Sequence, residues 1–274
     1  MPITPLLALA TMILGCLAGI IGTLLGLGGG VFLVPFLVLV VGLPFQTAAA
    51  ISLTTVIATS SAVSAATAGR QMINLRLGMV LEVATAAGGL LGGVTAQMLP
   101  QRTLEAVFAG VAVAAGMVTL SRLRHSNLLT EPDADPGTFG GRYLDERLGR
   151  TVTYRVKRMP LALVASFVAG NVATLLGVGG GFIKVPVLNA WCGVPMRVAA
   201  ATSAFMIGVT ATSGAVIYYG AGDLIPSLAA AAVVGVQIGS AAGGRLAVRL
   251  HGRWLRLLLA IVLFAVAAMM LARA

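Results

Sequence analysis

The chain has 274 residues, of which 58% are hydrophobic and only 9% are charged, and its mean hydropathy is +1.01. This composition leaves too little polar surface for a water-soluble domain, so we interpret the chain as an integral membrane protein. Its apolar runs are about 20 residues long and do not alternate, which favours membrane-spanning α-helices over a β-barrel. The net charge of +10 would suggest a nucleic-acid partner for a soluble protein. In a membrane protein, basic cytoplasmic loops explain it, so we expect no nucleic-acid partner.

Ten helices are predicted, five in each half of the chain. They span residues 3–24, 30–42, 45–69, 76–99, 103–122, 160–177, 181–193, 196–219, 225–249 and 254–272. The second and the seventh are short, so each forms either a full crossing or a re-entrant element with its successor. The fold class is therefore all-α, with about ten transmembrane or re-entrant helices. The chain is divided into a first transmembrane repeat (1–122), a polar insert (123–159) and a second transmembrane repeat (160–274).

Lys and Arg concentrate in three predicted loops, and cytoplasmic loops are where such residues collect. If all ten helices cross, these three loops lie on one side of the membrane. The opposite loop at residues 220–225 carries Asp223 and no Lys or Arg, and Arg102 is the one exception. We therefore expect a multi-pass protein of the bacterial inner membrane, with the insert in the cytoplasm and both termini outside. The loop residues that carry this prediction are Arg70, Arg76, Arg122, Arg124, Arg142, Arg147, Arg150, Arg155, Lys157, Arg158, Arg245, Arg249, Arg253 and Arg256.

The polar insert contains a predicted β-hairpin. Residues 151–157, TVTYRVK, alternate as a strand does, and residues 143–148 offer a second strand.

The two halves of the chain share an internal sequence repeat. Residues 24–53 recur at residues 175–204 without a gap, at an offset of 151, and fifteen of the thirty aligned pairs are identical. LLGLGGGVFLVP begins the first copy and LLGVGGGFIKVP begins the second. Because five crossings are an odd number, the second copy enters the membrane reversed, so the repeats are predicted to be inverted. A glycine cluster in apolar sequence, once per half, indicates a transporter binding site at the repeat interface.

The glycines give this site its chemistry. They allow a helix to stop and restart, and the restarting helix presents free N–H groups that bind anions. In inverted repeats two such N-termini converge near the bilayer centre. The alternative is close helix packing by small residues, which explains poorly the proline five residues after each cluster. A phosphate-binding loop is disfavoured because no strand precedes the glycines and no GK[ST] follows. The glycines assigned to substrate are Gly28, Gly29, Gly30, Gly179, Gly180 and Gly181.

A hydroxyl-rich helix follows each glycine cluster. Ser52 matches Ser203 and Thr59 matches Thr210 at the repeat offset. Such hydroxyls commonly bond helix backbones, but the matched serines lie close after the glycines and are the better candidates for substrate contact. The hydroxyls assigned to substrate are Ser52, Thr55, Thr202 and Ser203.

Two ionisable residues are predicted inside apolar helices. Lys184 lies three residues after Gly181 and aligns with Leu33. A charge at the bilayer centre costs about 2.5 kcal/mol or more, so Lys184 is assigned to anion binding, with snorkelling to the interface as the alternative. Glu82 is assigned to carrying a coupling proton, and an ion pair with Arg76 is its structural alternative.

The doubled glycine motif with its Val-Pro, the A-x-S at residues 50–52 and 201–203, and ATSAFMIGVTA at residues 201–211 resemble the TauE/SafE family of sulfite and sulfonate exporters and permeases. The resemblance covers both repeats. It implies transport of small sulfur-containing anions, such as sulfite, thiosulfate or sulfonates, across the bacterial cytoplasmic membrane.

We therefore predict a secondary transporter that works by alternating access, with export favoured by the interior-negative potential. Proton-coupled uptake of organosulfonates or other organic anions is the main alternative, and a non-transporting assembly or signalling subunit is the alternative from another class. The chain carries no HExxH, GxSxG or paired intramembrane aspartates, so we expect no enzyme activity, no catalytic residue, no metal and no cofactor. The oligomeric state stays open, and a homodimer is compatible with the sequence.

Overall fold

A computed structural model describes residues 5–25, 29–67, 73–121, 137–145, 150–247 and 252–272. Within these residues the chain forms ten α-helices and one two-stranded antiparallel sheet. The helices are α1 (Pro5–Leu25), α2 (Gly30–Leu39), α3 (Phe45–Thr67), α4 (Leu75–Met98), α5 (Gln101–Ser121), α6 (Met159–Leu175), α7 (Gly181–Ala190), α8 (Met196–Gly220), α9 (Pro226–Ala247) and α10 (Gly252–Leu271). The strands are β1 (Gly141–Asp145) and β2 (Arg150–Tyr154).

The ten helices lie where the sequence predicted them, and the all-α membrane fold is confirmed. Five of the described helices contain segments long and apolar enough to cross a bilayer. These segments are Pro5–Thr23, Phe45–Ala65, Leu75–Met98, Met196–Gly220 and Pro226–Gly243. Large apolar side chains lie on the outer surface, including Leu6, Val83 and Met98, each at least three-quarters exposed. A lipid environment accommodates such side chains, whereas water does not.

The two short helices end three residues earlier than predicted, and they end in the same way. After α2, Gly42 adopts φ +76°, and the N–H of Leu43 donates to the carbonyl of Leu37 at 3.0 Å. The matched residue after α7, Gly193, also has φ +76°. Glycine adopts this left-handed conformation without steric cost and so terminates a helix. Each short helix therefore has ten residues and is about 15 Å long, half the thickness of the hydrocarbon core.

The two halves pack against each other in matched pairs of helices. α1 lies along α9, and the equivalent α6 lies along α4, while α3 packs on α8 and α5 packs on α10. At the first seam, a Cβ on Gly239 would overlap the carbonyl of Cys16. At the second seam, a Cβ on Gly88 would overlap the carbonyl of Phe167. Because both members of one contact map onto the other at the offset of 151, the internal repeat extends to the tertiary packing.

The β-hairpin lies within the polar insert, between α5 and α6. Its strands pair antiparallel, with Tyr143 opposite Val152. Tyr143, Val152 and Tyr154 are buried in one apolar cluster with Leu77 at the start of α4 and Leu188 near the end of α7. The hairpin therefore covers the end of the bundle where α4 begins and α7 ends.

Candidate functional site

Both short helices begin at a glycine break. α2 begins at Gly30 after Gly29, whose φ is +75°, and α7 begins at Gly181 after Gly180. Glycine has no side-chain acceptor for a cap, so the first N–H groups of each helix remain as donors with the positive end of the helix dipole. Gly179 lies in the connection between α6 and α7, whereas Gly28 lies outside the described residues.

The breaks of the two halves contact each other. Ser52 Oγ donates to the carbonyl of Gly177 at 2.6 Å. A Cβ on Gly30 would lie 2.6 Å from Ser52 Oγ and 2.8 Å from the Gly177 carbonyl oxygen. Gly177 itself adopts φ +68° and touches the backbone of Ala49. The start of α2 in the first half is thus held directly against the glycine turn of the second half.

The remaining hydroxyls assigned from the sequence have different surroundings. Ser203 is 1% exposed, and its Oγ has no partner among the described residues. Thr55 donates to the carbonyl of Ser52 in its own helix at 2.7 Å, as hydroxyls in membrane helices commonly do. Thr202 Oγ1 instead accepts from the N–H of Asn74 at 3.0 Å, at the start of α4. Of the four assigned hydroxyls, that of Ser203 is therefore the one without a partner in the described part of the chain.

Asn74 links this part of α8 to the hairpin. Its Nδ2 donates to the Tyr154 hydroxyl at 2.8 Å and to the Phe139 carbonyl at 2.8 Å. Burial raises the pKa of the Tyr154 phenol, because the charged form would lose its hydration. Tyr154 therefore remains a neutral hydrogen-bonding partner at physiological pH.

Lys184 is buried rather than snorkelled, with 1% of its side chain exposed. Its Nζ donates to Thr210 Oγ1 at 3.2 Å, and Thr210 Oγ1 donates to Glu82 Oε1 at 2.8 Å. A single threonine on α8 therefore bridges an ammonium on α7 and a carboxylate on α4. We call Glu82, Lys184 and Thr210 the charged corner.

The Glu82 carboxylate is bonded to Thr210, and Arg76 has a different partner. The Arg76 guanidinium donates to the carbonyl of Thr138 at 3.1 Å. Glu82 is 8% exposed, and its Oε2 has no hydrogen-bond partner within the described part of the chain. An unpaired carboxylate oxygen in an apolar interior is costly, so it marks a place where a further group would be stabilised.

Thr210 is the residue that the sequence did not single out. The repeat pairs it with Thr59, and it lies seven residues after Ser203 and therefore on the same helical face. Thr174 is a second buried hydroxyl that the sequence does not single out. Its Oγ1 is buried without a partner among the described residues, and it lies beside Gly89 together with Ser213. Glu82 is the one acid predicted inside an apolar helix, whereas in the structure Glu105 is buried too, 1% exposed and bonded to Gln101.

A cleft of about 600 Å³ opens between α3, α4 and α8. Ser213, one of its lining residues, donates to the carbonyl of Thr210 at 2.7 Å. The cleft therefore runs next to the charged corner. Its hydroxyl-bearing lining residues are Ser60, Ser61, Ser64, Thr212 and Ser213.

Membrane-length helices around a buried ammonium, a buried carboxylate and two broken helices define a polytopic membrane protein with an internal polar site. The family model described as Sulfite exporter TauE/SafE matches residues 11–270. The chain therefore belongs to the TauE/SafE family of membrane transporters.

The chain is also similar to the probable membrane transporter protein YunE of Bacillus subtilis (strain 168). The two are 25% identical over 259 residues, and the match covers 92% of this chain and 93% of that protein. No solved structure matches the chain.

Proposed function

We propose that this transporter moves small sulfur-containing anions, such as sulfite, thiosulfate or organosulfonates, across the cytoplasmic membrane by alternating access. The observation that carries this proposal is the contact between the two glycine breaks, Gly30 against Gly177. Lys184 is buried three residues beyond the second break. Helix N-termini and an ammonium together provide what an oxyanion needs in an apolar interior.

The bound anion lies near the midplane of the bilayer. α2 and α7 each cover about half of the hydrocarbon thickness, so their glycine starts lie about 15 Å from their far ends. The two halves are inverted relative to each other, and this is supported by the odd number of helices in each half. Rocking of matched halves about a fixed central site is how inverted-repeat carriers alternate their access.

The insert lies in the cytoplasm, and both termini lie outside. The basic loops support this orientation. The hairpin packs at the start of α4, where Arg76 is located, and this neighbourhood of two basic segments supports the same orientation. The substrate residues are those of the glycine breaks together with Ser203 and Lys184, whereas Ser52 holds the two breaks together by donating to the carbonyl of Gly177.

Export is the direction that the membrane potential favours. A potential of 100 mV, negative inside, drives one negative charge outward by about 2.3 kcal/mol. Proton-coupled uptake is a second candidate, favoured by the hydrogen bond from Thr210 to Glu82, because it places a titratable group at the ammonium that binds the anion.

Flux of radiolabelled sulfite and of a sulfonate through proteoliposomes tests the site. We expect Lys184→Ala and Ser203→Ala to lower flux by about tenfold or more, since each removes a group worth at least about 1.4 kcal/mol to the bound anion. Lys157→Ala is the matched control, because this exposed lysine lies in the insert. Equal flux through all of these proteins would contradict the assignment.

A further inference from the structure

The charged corner already contains an anion, and that anion is the protein's own carboxylate. Lys184 is held through Thr210 by Glu82. Building on the proposed function, we infer that Glu82 is a resident counterion that the transported anion replaces at Lys184, and that Glu82 takes up one proton each time this happens.

The reason lies in the charges around Glu82. Among the helices packed on α4, α6 has no Asp, Glu, Lys, Arg or His in any of its seventeen residues. α8 carries Arg197 in its first turn and Tyr218 and Tyr219 at its far end. Lys184 on α7 is thus the cation that balances Glu82, and one ammonium cannot balance two anions in an apolar interior.

The remaining titratable neighbours lie at the start of α4. Arg76 and Tyr154 both have hydrogen-bond partners in the insert segment or at Asn74. Along α4, Glu82 lies six residues after Arg76, which is more than one helical turn. When an oxyanion binds Lys184, the carboxylate therefore loses its partner and is neutralised by a proton from water on the open side. When the anion leaves, Lys184 and Glu82 pair again and the proton returns to water.

This exchange fixes how much charge crosses the membrane. The empty site is neutral, with one ammonium and one carboxylate. With a monoanion bound and Glu82 protonated, the site is neutral again, so a sulfonate moves together with one proton and without net charge. With a dianion bound, such as thiosulfate, the site carries one net negative charge. The pH gradient therefore acts on both substrate classes, whereas the potential acts on dianions alone and drives them outward.

Equilibrium accumulation in proteoliposomes tests this with the unmodified protein. Methanesulfonate serves as the monoanion and thiosulfate as the dianion, with a potassium diffusion potential and a pH gradient set independently. We expect methanesulfonate accumulation to change tenfold per pH unit and not to respond to the potential. Thiosulfate should change by tenfold per pH unit and, in addition, by about 50-fold per 100 mV. A pH dye inside the liposomes should report one proton per anion.

Different results would contradict the role of Glu82 and the proposed transport function. If methanesulfonate accumulation changes by about 50-fold per 100 mV and no proton enters with the anion, the proposed transport function is retained and the inferred role of Glu82 is contradicted. If neither anion moves under any gradient, the proposed function fails and the inference falls with it.

Glu82→Gln supplies a second test, because a glutamine has the shape of the protonated acid and cannot titrate. We expect methanesulfonate accumulation in this variant to lose its dependence on pH and to follow the potential as one full charge. Glu105→Gln is the matched control, since Glu105 is also a buried acid but is bonded to Gln101. It should keep the wild-type behaviour. A Glu82→Gln protein that still moves one proton per sulfonate would contradict the inference, and the measurement on the wild type decides if this variant does not fold.

Discussion

The repeat offset relates the charged corner to a second corner with the same backbone plan and different chemistry. Glu82, Lys184 and Thr210 map onto Val233, Leu33 and Thr59, which we call the apolar corner. Leu33 is as buried as Lys184, each 1% exposed. The matched helix ends and seams show that both halves kept one architecture. The symmetric backbone therefore provides the two broken helices, while the side chains of one corner alone provide the charge.

Converting the charged corner into its apolar counterpart should have the largest effect. Lys184→Leu leaves the carboxylate of Glu82 buried without its cation, so we expect a loss of about 3–5 kcal/mol in the free energy of unfolding and more than 100-fold in anion flux. The double variant Lys184→Leu, Glu82→Val copies the apolar corner. It should regain the stability and not the flux, as judged by thermal unfolding and proteoliposome assays. A double variant that transports anions would show that the site lies elsewhere.

The second-largest effect is expected at the contact between the two glycine breaks. Gly30→Ala places a methyl group against Ser52 Oγ and the Gly177 carbonyl, and this overlap should cost about 1–3 kcal/mol and lower flux by about tenfold. Gly110→Ala is the control, because a Cβ on this glycine in α5 meets nothing within 4 Å. Thermal unfolding and flux of the two variants check the prediction. If both behave alike, close approach at the break is not required.

The two matched threonines should contribute differently to transport. Thr210→Val removes the hydroxyl that joins Lys184 to Glu82, so we expect flux to fall by about tenfold, the value of a hydrogen bond to a charged group. Thr59 bonds to the backbone of its own helix, at 3.0 Å to the carbonyls of Thr55 and Val56. Thr59→Val should change flux little, because the matched positions Leu33 and Val233 carry no charges for a hydroxyl to bridge. Thr210→Ser, which restores the hydroxyl, should recover most of the activity, and a failure to recover would assign the loss to packing instead.

Most of the fold followed from the sequence, because apolar length and the doubled motif are local signals. The hydropathy of the sequence predicts the ends of α2 and α7 three residues too late, because the left-handed turns at Gly42 and Gly193 stop these helices. The charged corner was only half predicted. Lys184 and Glu82 stand out as charges in apolar helices, but they lie on different helices, and no sequence spacing reveals that Thr210 joins them. Thr210 resembles any hydroxyl that bonds its own backbone, so its bridging role depends on tertiary packing.

The smallest expected difference separates the matched serines. Ser52 Oγ donates to the buried carbonyl of Gly177, so Ser52→Ala leaves that carbonyl without its hydrogen bond and should lower the free energy of unfolding by about 1–3 kcal/mol. Ser203 Oγ is buried and has no partner among the described residues, so Ser203→Ala should cost less than about 0.5 kcal/mol, because no protein hydrogen bond is lost.

The two variants should rank the other way in how much thiosulfate stabilises them. Its binding should stabilise the Ser52 variant against heat as it does the wild type, and should stabilise the Ser203 variant less, since only Ser203 has a hydroxyl to offer the anion. Thermal unfolding of both proteins with and without thiosulfate measures this. Equal responses to the anion would mean that the repeat places two structural serines at the breaks and that neither contacts the substrate.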